Sequence, residues 1–123
     1  ISDYCEKLTG ITQQQVDAGF TLKEACNILE TTYDTPNIVW ASYGNYDKNM
    51  FVKRCDGSGI DYPFSQDHIN VKTLAAICGK WSCTVGMEVA LEKMGLPLVG
   101  RHHKGSDDAF NTANILIKCL GLK

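Results

Sequence analysis

The sequence predicts an α/β domain of which only part of the sheet is written in these residues. Three observations carry that reading. The run Ile38-Val39-Trp40-Ala41-Ser42-Tyr43 is β-branched and aromatic and carries no charge, which suits a strand buried on both faces of a sheet. Around it lie several segments with helical spacing and recognisable start and stop residues. Almost nothing else in the chain reads as a strand, so the neighbours this run needs are expected upstream or on another chain. At 123 residues, 44% apolar and 21% charged, the chain has an ordinary globular composition and the length of one domain, expected to span 1–123.

Taken in order, Ile1 to Ile11 is short and mixed and closes with Leu8-Thr9-Gly10-Ile11. Thr12 caps a short helix over Gln13 to Ala18 that stops at Gly19. Thr21-Leu22-Lys23-Glu24 is a capping box, and Leu22, Ala25, Cys26, Leu29 and Tyr33 follow it at helical spacing. Asp34-Thr35-Pro36-Asn37 is turn chemistry that ends this helix. After the strand, Gly44 breaks the run, and Asn45-Tyr46-Asp47 leads into a helix carrying Met50, Phe51 and Cys55. Asp56-Gly57-Ser58-Gly59 reads as a turn, and Ile60-Asp61-Tyr62-Pro63 as a short extended piece.

Asp67-His68-Ile69-Asn70 is expected to open the next helix, with Val71, Leu74, Ala75 and Cys78 on one face and Gly79 at its end. Thr84 is expected to cap a further helix with Met87, Ala90, Leu91 and Met94 on one face, closed by Gly95 and Pro97. The last helix is expected from about Asp108 to Leu120, stopping at Gly121. No repeat, low-complexity tract or linker is visible.

A net charge of −2 argues against a polybasic, DNA-coating protein. It leaves room for an enzyme that grips a few nucleotides at a strand end, whose metal-binding carboxylates would themselves lower the charge. No apolar run approaches the ~20 residues of a membrane span, so no membrane partner is expected. No signal peptide is visible, and the sequence does not open on Met, so a processed or trimmed product is expected. Cys5, Cys26, Cys55, Cys78, Cys83 and Cys119 form no Cys-x2-Cys pair. A set of buried reduced thiols is favoured over disulfides, in an intracellular setting, cytoplasmic or nuclear. Cys78 and Cys83 with His102 or His103 make a poor zinc spacing.

The chemistry concentrates near the end, in Arg101-His102-His103-Lys104-Gly105-Ser106-Asp107-Asp108-Ala109. A loop histidine lies five residues before an aspartate at the start of an apolar-periodic run. The carboxylate can hold a divalent metal while the imidazole moves a proton. The plain alternative is a polar loop with an Asp N-cap. Asp47 is the second candidate, just beyond the carboxyl end of the strand, where α/β folds place functional groups. Its plain alternative is a helix-start carboxylate favoured by the macrodipole.

The combination has a family likeness. Ser42-Tyr43-Gly44-Asn45-Tyr46-Asp47 resembles the second motif of the DEDDh 3′→5′ exonucleases, of ribonuclease H-like fold. Tyr62-Pro63-Phe64 and His68-Ile69-Asn70-Val71-Lys72 resemble the segment that follows in their Eri-type branch. The run from Gly100 to Ala113 looks like that branch's third motif, and Leu8-Thr9-Gly10-Ile11-Thr12 matches its early Leu-Thr-Gly-Ile-Thr stretch. The motifs are specific together and weak singly, and they cover nearly the whole chain in order.

The resemblance implies a mixed central sheet flanked by helices, two Mg²⁺ or Mn²⁺ ions, and a single-stranded nucleic acid 3′ end as substrate, with RNA favoured. It implies His103 as the catalytic histidine and Asp47 and Asp108 as metal ligands. His102 and Asp107 are also five apart; the family's ligand directly precedes a small residue, which favours Asp108-Ala109 and hence His103. His102 and Asp107 would then support or cap. Leu8, Thr9, Gly10 and Ile11 would line the terminal-nucleotide pocket, with Tyr46 and Asn70 near the substrate.

One departure is plain. The family's first motif is an Asp-x-Glu on an early strand, and no Asp in this chain is followed two residues later by Glu. The missing acids and the missing sheet neighbours agree. The chain reads as the C-terminal part of such a domain, whose N-terminal strands come from an absent segment or another chain. The alternatives are a catalytically inactive binding module for nucleic acid or protein and, third, a helical interaction domain.

Overall fold

The computed structural model describes residues 1–122. The chain forms two compact units, one from Ile1–Gly19 with Val71 onwards, the other from Phe20–Asn70.

The second unit holds the sheet. Helix α3 (Leu22–Tyr33) begins at the expected capping box, with Thr21 and Glu24 bonded reciprocally, and ends at Asp34 in the left-handed region. A 3-10 turn, Thr35–Asn37, follows. Strand β1 (Trp40–Ser42) runs into helix α4 (Tyr46–Ser58), which returns to strand β2 (His68–Asn70). The two strands are parallel, with Trp40 opposite His68, Ala41 opposite Ile69 and Ser42 opposite Asn70. Parallel neighbours need a crossover, and α4 supplies it, making one β-α-β unit. The ring of Trp40 stacks on Phe64 at 4.1 Å, and Phe51 meets Phe64 edge-on at 4.9 Å. Cys26 and Cys55 pack sulfur to sulfur at 3.9 Å beneath the surface.

The structure corrects several expectations here. β1 is shorter than Ile38–Tyr43, and Ile38 and Val39 are exposed at 48% and 59%, not buried on two faces. A strand extends only as far as its partner's ladder, and β2 offers three residues. His68–Asn70 forms that partner strand, not the start of a helix, so one sheet neighbour does lie within the chain. The turn expected at Asp56 to Gly59 is helical through Ser58, with Gly59 as left-handed C-cap. The segment from Ile60 to Pro63 joins no strand.

The first unit is helical. Helix α1 (Asp3–Thr9) occupies the stretch read as mixed; Ser2 caps it by accepting from the Cys5 N–H, and Gly10 stops it at φ 76°. It buries no residue, so no apolar stripe announces it. Helix α2 (Gln13–Asp17) has its capping box at Thr12 and Gln15. Helices α5 (Val71–Gly79) and α6 (Met87–Lys93) both pack on α7 (Gly105–Cys119). Val71, Ala75, Ala90, Leu91 and Ile115 are the sealed centre of this packing.

α6 starts after Gly86, not at Thr84, and α7 starts after Lys104, earlier than expected. Asp108 therefore lies inside the first turn and is not the N-cap. Cys78, expected on the apolar face of α5, is exposed. All six cysteines are free thiols, but only Cys26 and Cys55 are buried, against the expectation of a buried set. No helix among the described residues is long and apolar enough to cross a membrane.

Candidate active site

The site is built on the loop into α7 and the first turn of that helix. Gly100 turns the chain at φ 70°, and Asp107 lies so close that a Cβ on Gly100 would sit 2.3 Å from its carboxyl carbon. Only glycine gives both the left-handed turn and the space. Asp107 Oδ2 then accepts the Arg101 N–H at 2.8 Å, tying loop to helix. Asn111, fully buried on α7, clamps the loop two residues earlier, at Val99. Its Oδ1 accepts the Val99 N–H at 3.0 Å, and its Nδ2 donates to the Val99 carbonyl at 2.9 Å.

These ties set up Asp108. Its Oδ1 accepts the backbone N–H of His103 at 3.2 Å and lies 3.2 Å from His102 Nδ1. His103 has φ 71°, left-handed for a residue with a side chain. That conformation costs about 1–2 kcal/mol, and the Asp108 bond holds it. Strain of this kind clusters at functional positions. The two imidazoles lie against each other with centroids 3.9 Å apart. Ligand atoms of His102, His103 and Asp108 all fall within 4.8 Å of one another. Both Asp108 bonds use Oδ1, which leaves Oδ2 for a cation. Asp107 and Asp108 both sit in the first turn of α7, where the helix dipole favours negative charge.

The expected pocket residues Leu8, Thr9, Gly10 and Ile11 close α1 in the same unit. Thr9 Oγ1 donates to the Cys5 carbonyl at 2.7 Å and accepts the Ile11 N–H at 3.1 Å, which shapes the turn. The Arg101 guanidinium covers Gly10, with Nη1 2.8 Å from where a Cβ would stand, and donates to the Lys7 carbonyl. Arg101 thus links the Leu8–Ile11 turn to the His102–His103 loop.

The other expected residues lie in the sheet unit. Asp47 is exposed in the first turn of α4, beside exposed Tyr46. Asn70 Oδ1 accepts the Gly44 N–H at 3.1 Å, so it fixes the turn that presents Asp47. Ser42 Oγ contacts His68 Nε2 at 2.7 Å and donates to the Gly44 carbonyl at 2.9 Å. His68 has its pKa pushed below the ordinary 6.5, first by burial and then by Lys48, with Asp47 opposing. Burial likewise raises the Tyr43 phenol.

Comparison with known proteins decides the family. An exonuclease family model (RNase T type) matches residues 1–116. This chain belongs to that exonuclease family. Human 3′-5′ exoribonuclease 1 is 31% identical over 132 residues, covering 98% of this chain and 37% of that protein. The 3′-5′ exonuclease Snipper of Drosophila melanogaster is 27% identical over 140 residues, covering 98% of this chain and 50% of that protein. The crystal structure of a full-length 3′-exonuclease superposes with TM-score 0.83 at 28% identity, over 98% of this chain and 58% of that one. The chain thus spans between a fifth and a half of the length of the curated relatives it matches. The α/β arrangement described above is that of an exonuclease.

Sequence reading did not assign Asn111, Arg101 or the Ser42–His68 pair. For Asn111 a signal existed: with Asp108, Thr112 and Ile115 it recurs at three- and four-residue spacing on one stripe of the helix. A polar residue on a buried stripe is expected to bond something specific.

Proposed function

We propose that this exonuclease-family chain carries the C-terminal part of a DEDDh-type 3′→5′ exonuclease. It would hydrolyse the terminal phosphodiester bond of a single-stranded nucleic acid, with RNA favoured by the names of its relatives. The convergence of His102, His103 and Asp108 at the mouth of α7 carries the proposal, because a base and an acid there suit metal-assisted hydrolysis.

The donors fit hard cations. Mg²⁺ and Mn²⁺ prefer carboxylate and water oxygens, and the family resemblance assigns them Asp47 and Asp108. A bound pair of such ions would stabilise the attacking and leaving oxygens of an in-line displacement. His103, exposed beside Asp108, takes the proton of the attacking water as general base. His102 and Asp107 support: one bonds Asp108, the other fixes the loop. Leu8, Thr9, Gly10 and Ile11 receive the terminal nucleotide, with Tyr46 and Asn70 on the substrate side.

Asp47 and Asp108 alone are too few for two ions, so further carboxylates must come from a segment outside these residues. The exposed edge residues Ile38 and Val39 suit a strand from the same source. The residues encoded immediately before Ile1 are the first check, since an apolar strand bearing Asp-x-Glu is required there or on a partner. The assay is Mn²⁺-dependent mononucleotide release from the 3′ end of a labelled single strand, with that strand present. His103→Ala should lower turnover by ~10²–10⁴-fold and leave metal binding largely intact; Asp108→Ala should abolish release. Wild-type turnover in His103→Ala would refute the assignment of the base. Nucleic-acid binding without release, with all carboxylates present, would favour the inactive-module reading.

A further inference from the structure

We propose that His102, His103 and Asp108 form a zinc site of their own, separate in donor chemistry from the all-oxygen environment that Mg²⁺ or Mn²⁺ requires. Two imidazoles and one carboxylate make a donor set that favours Zn²⁺, with three protein ligands and water in the fourth position. A hard cation at Asp108 has no need of the second imidazole, and His102 is otherwise only a partner to Asp108.

The geometry supports the assignment. Tetrahedral zinc with bonds of ~2.0–2.1 Å places its ligand atoms roughly 3.3–3.4 Å apart. His102 Nδ1 and Asp108 Oδ1 already stand 3.2 Å apart, and atoms of all three residues lie within 4.8 Å. Closure requires the exposed His103 side chain to swing off the His102 ring, against which it lies with centroids 3.9 Å apart. The backbone is held beforehand by the Asp107–Arg101 bond at 2.8 Å and the Asn111 clamp on Val99. Side-chain exposures of 26% for His102 and 28% for Asp108 leave an entry path. This is the cluster of metal-ligating side chains found among the described residues, and all of it lies in one unit. Zinc binding therefore does not depend on the segment that would complete the nuclease.

A consequence for activity does rest on the functional reading above. Zinc seated there takes up the lone pair of His103 and the carboxylate of Asp108, removing the base and a metal ligand together. Zinc should then inhibit the completed nuclease even in excess Mg²⁺.

The test is a Zn²⁺ titration of the 123-residue chain by calorimetry and chelator competition, in excess Mg²⁺. One Zn²⁺ per chain is expected. Binding should weaken by about 10–100-fold or more in His102→Ala and persist when exposed Cys5, Cys78 and Cys83 are changed together to Ser. A thermal melt of each variant confirms folding. In imidazole NMR, zinc should move the resonances of His102 and His103 and leave His68 unmoved. Absence of binding, binding unchanged in His102→Ala, or binding lost in the serine variant would overturn the site. Zinc binding without nuclease activity in the completed enzyme would count against the functional reading alone.

Discussion

Asn111→Asp replaces one buried NH2 group by oxygen and tests the clamp that positions the catalytic loop. In the native protein the amide satisfies both polar groups of Val99, at 3.0 and 2.9 Å, from a fully buried position. As a carboxylate, the new side chain would face the Val99 carbonyl with oxygen against oxygen. Protonation restores a donor there. With an ordinary Asp pKa of ~3.9 and ~1.4 kcal/mol per pH unit, holding the acid neutral costs ~4 kcal/mol at pH 7 and ~1.5 kcal/mol at pH 5. The folded pKa of the introduced acid is raised, so its stability contribution is intact below ~3.9 and falls as pH rises.

Asn111→Ala is the control. It loses the same two hydrogen bonds, about 1 kcal/mol each, and gains no titrating group. Urea unfolding at pH 5 and pH 7, followed by tryptophan fluorescence, gives the comparison. Relative to the Ala variant, the Asp variant should lose ~3 kcal/mol of stability from pH 5 to pH 7. Subtracting one variant from the other removes the wild-type pH dependence. A gap that stays constant would show that residue 111 does not face the Val99 carbonyl, and the account of the loop would fail.

Other outcomes follow from the same geometry. His68 has a depressed pKa from burial and Lys48, so its contribution is complete above about 6.5 and lost as pH falls through its folded value. His68→Phe should therefore flatten the decline of Tm between pH 7.5 and 5, and parallel declines in both proteins would contradict that. Gly100→Ala forces a left-handed alanine, about 1–2 kcal/mol, and drives Asp107 off the Arg101 N–H, adding about 1.5–3 kcal/mol for a charge-assisted bond. Its Tm should fall by several degrees and its zinc affinity should drop, whereas an unchanged melt would mean the loop has another conformation.

Local signals were enough for much of the fold. The capping boxes at Thr12 and Thr21 bond in the structure as the spacing implies. Gly95 and Gly121, read as helix stops, sit at positive φ just past α6 and α7. Helix α1 escaped notice because a helix that buries nothing leaves no apolar period. β2 escaped because His68-Ile69-Asn70 runs without a break into the helical period of α5, and only the ladder with β1 makes it extended.

What the sequence determined by itself was the exonuclease family and the set of chemical groups: an aspartate after a strand, and a histidine–aspartate pair at a helix start. These are matters of residue type and spacing along the chain. What only the tertiary structure decided was which atoms meet. Two histidines and two aspartates, each pair five apart, are told apart in sequence only by the small residue after Asp108. The fold separates them, sending Asp107 to the Arg101 N–H while Asp108 receives the His103 N–H and the His102 ring. That choice depends on where Asn111 holds Val99 and how Gly100 turns, and a hydrogen bond between distant residues has no signature in the spacing of either.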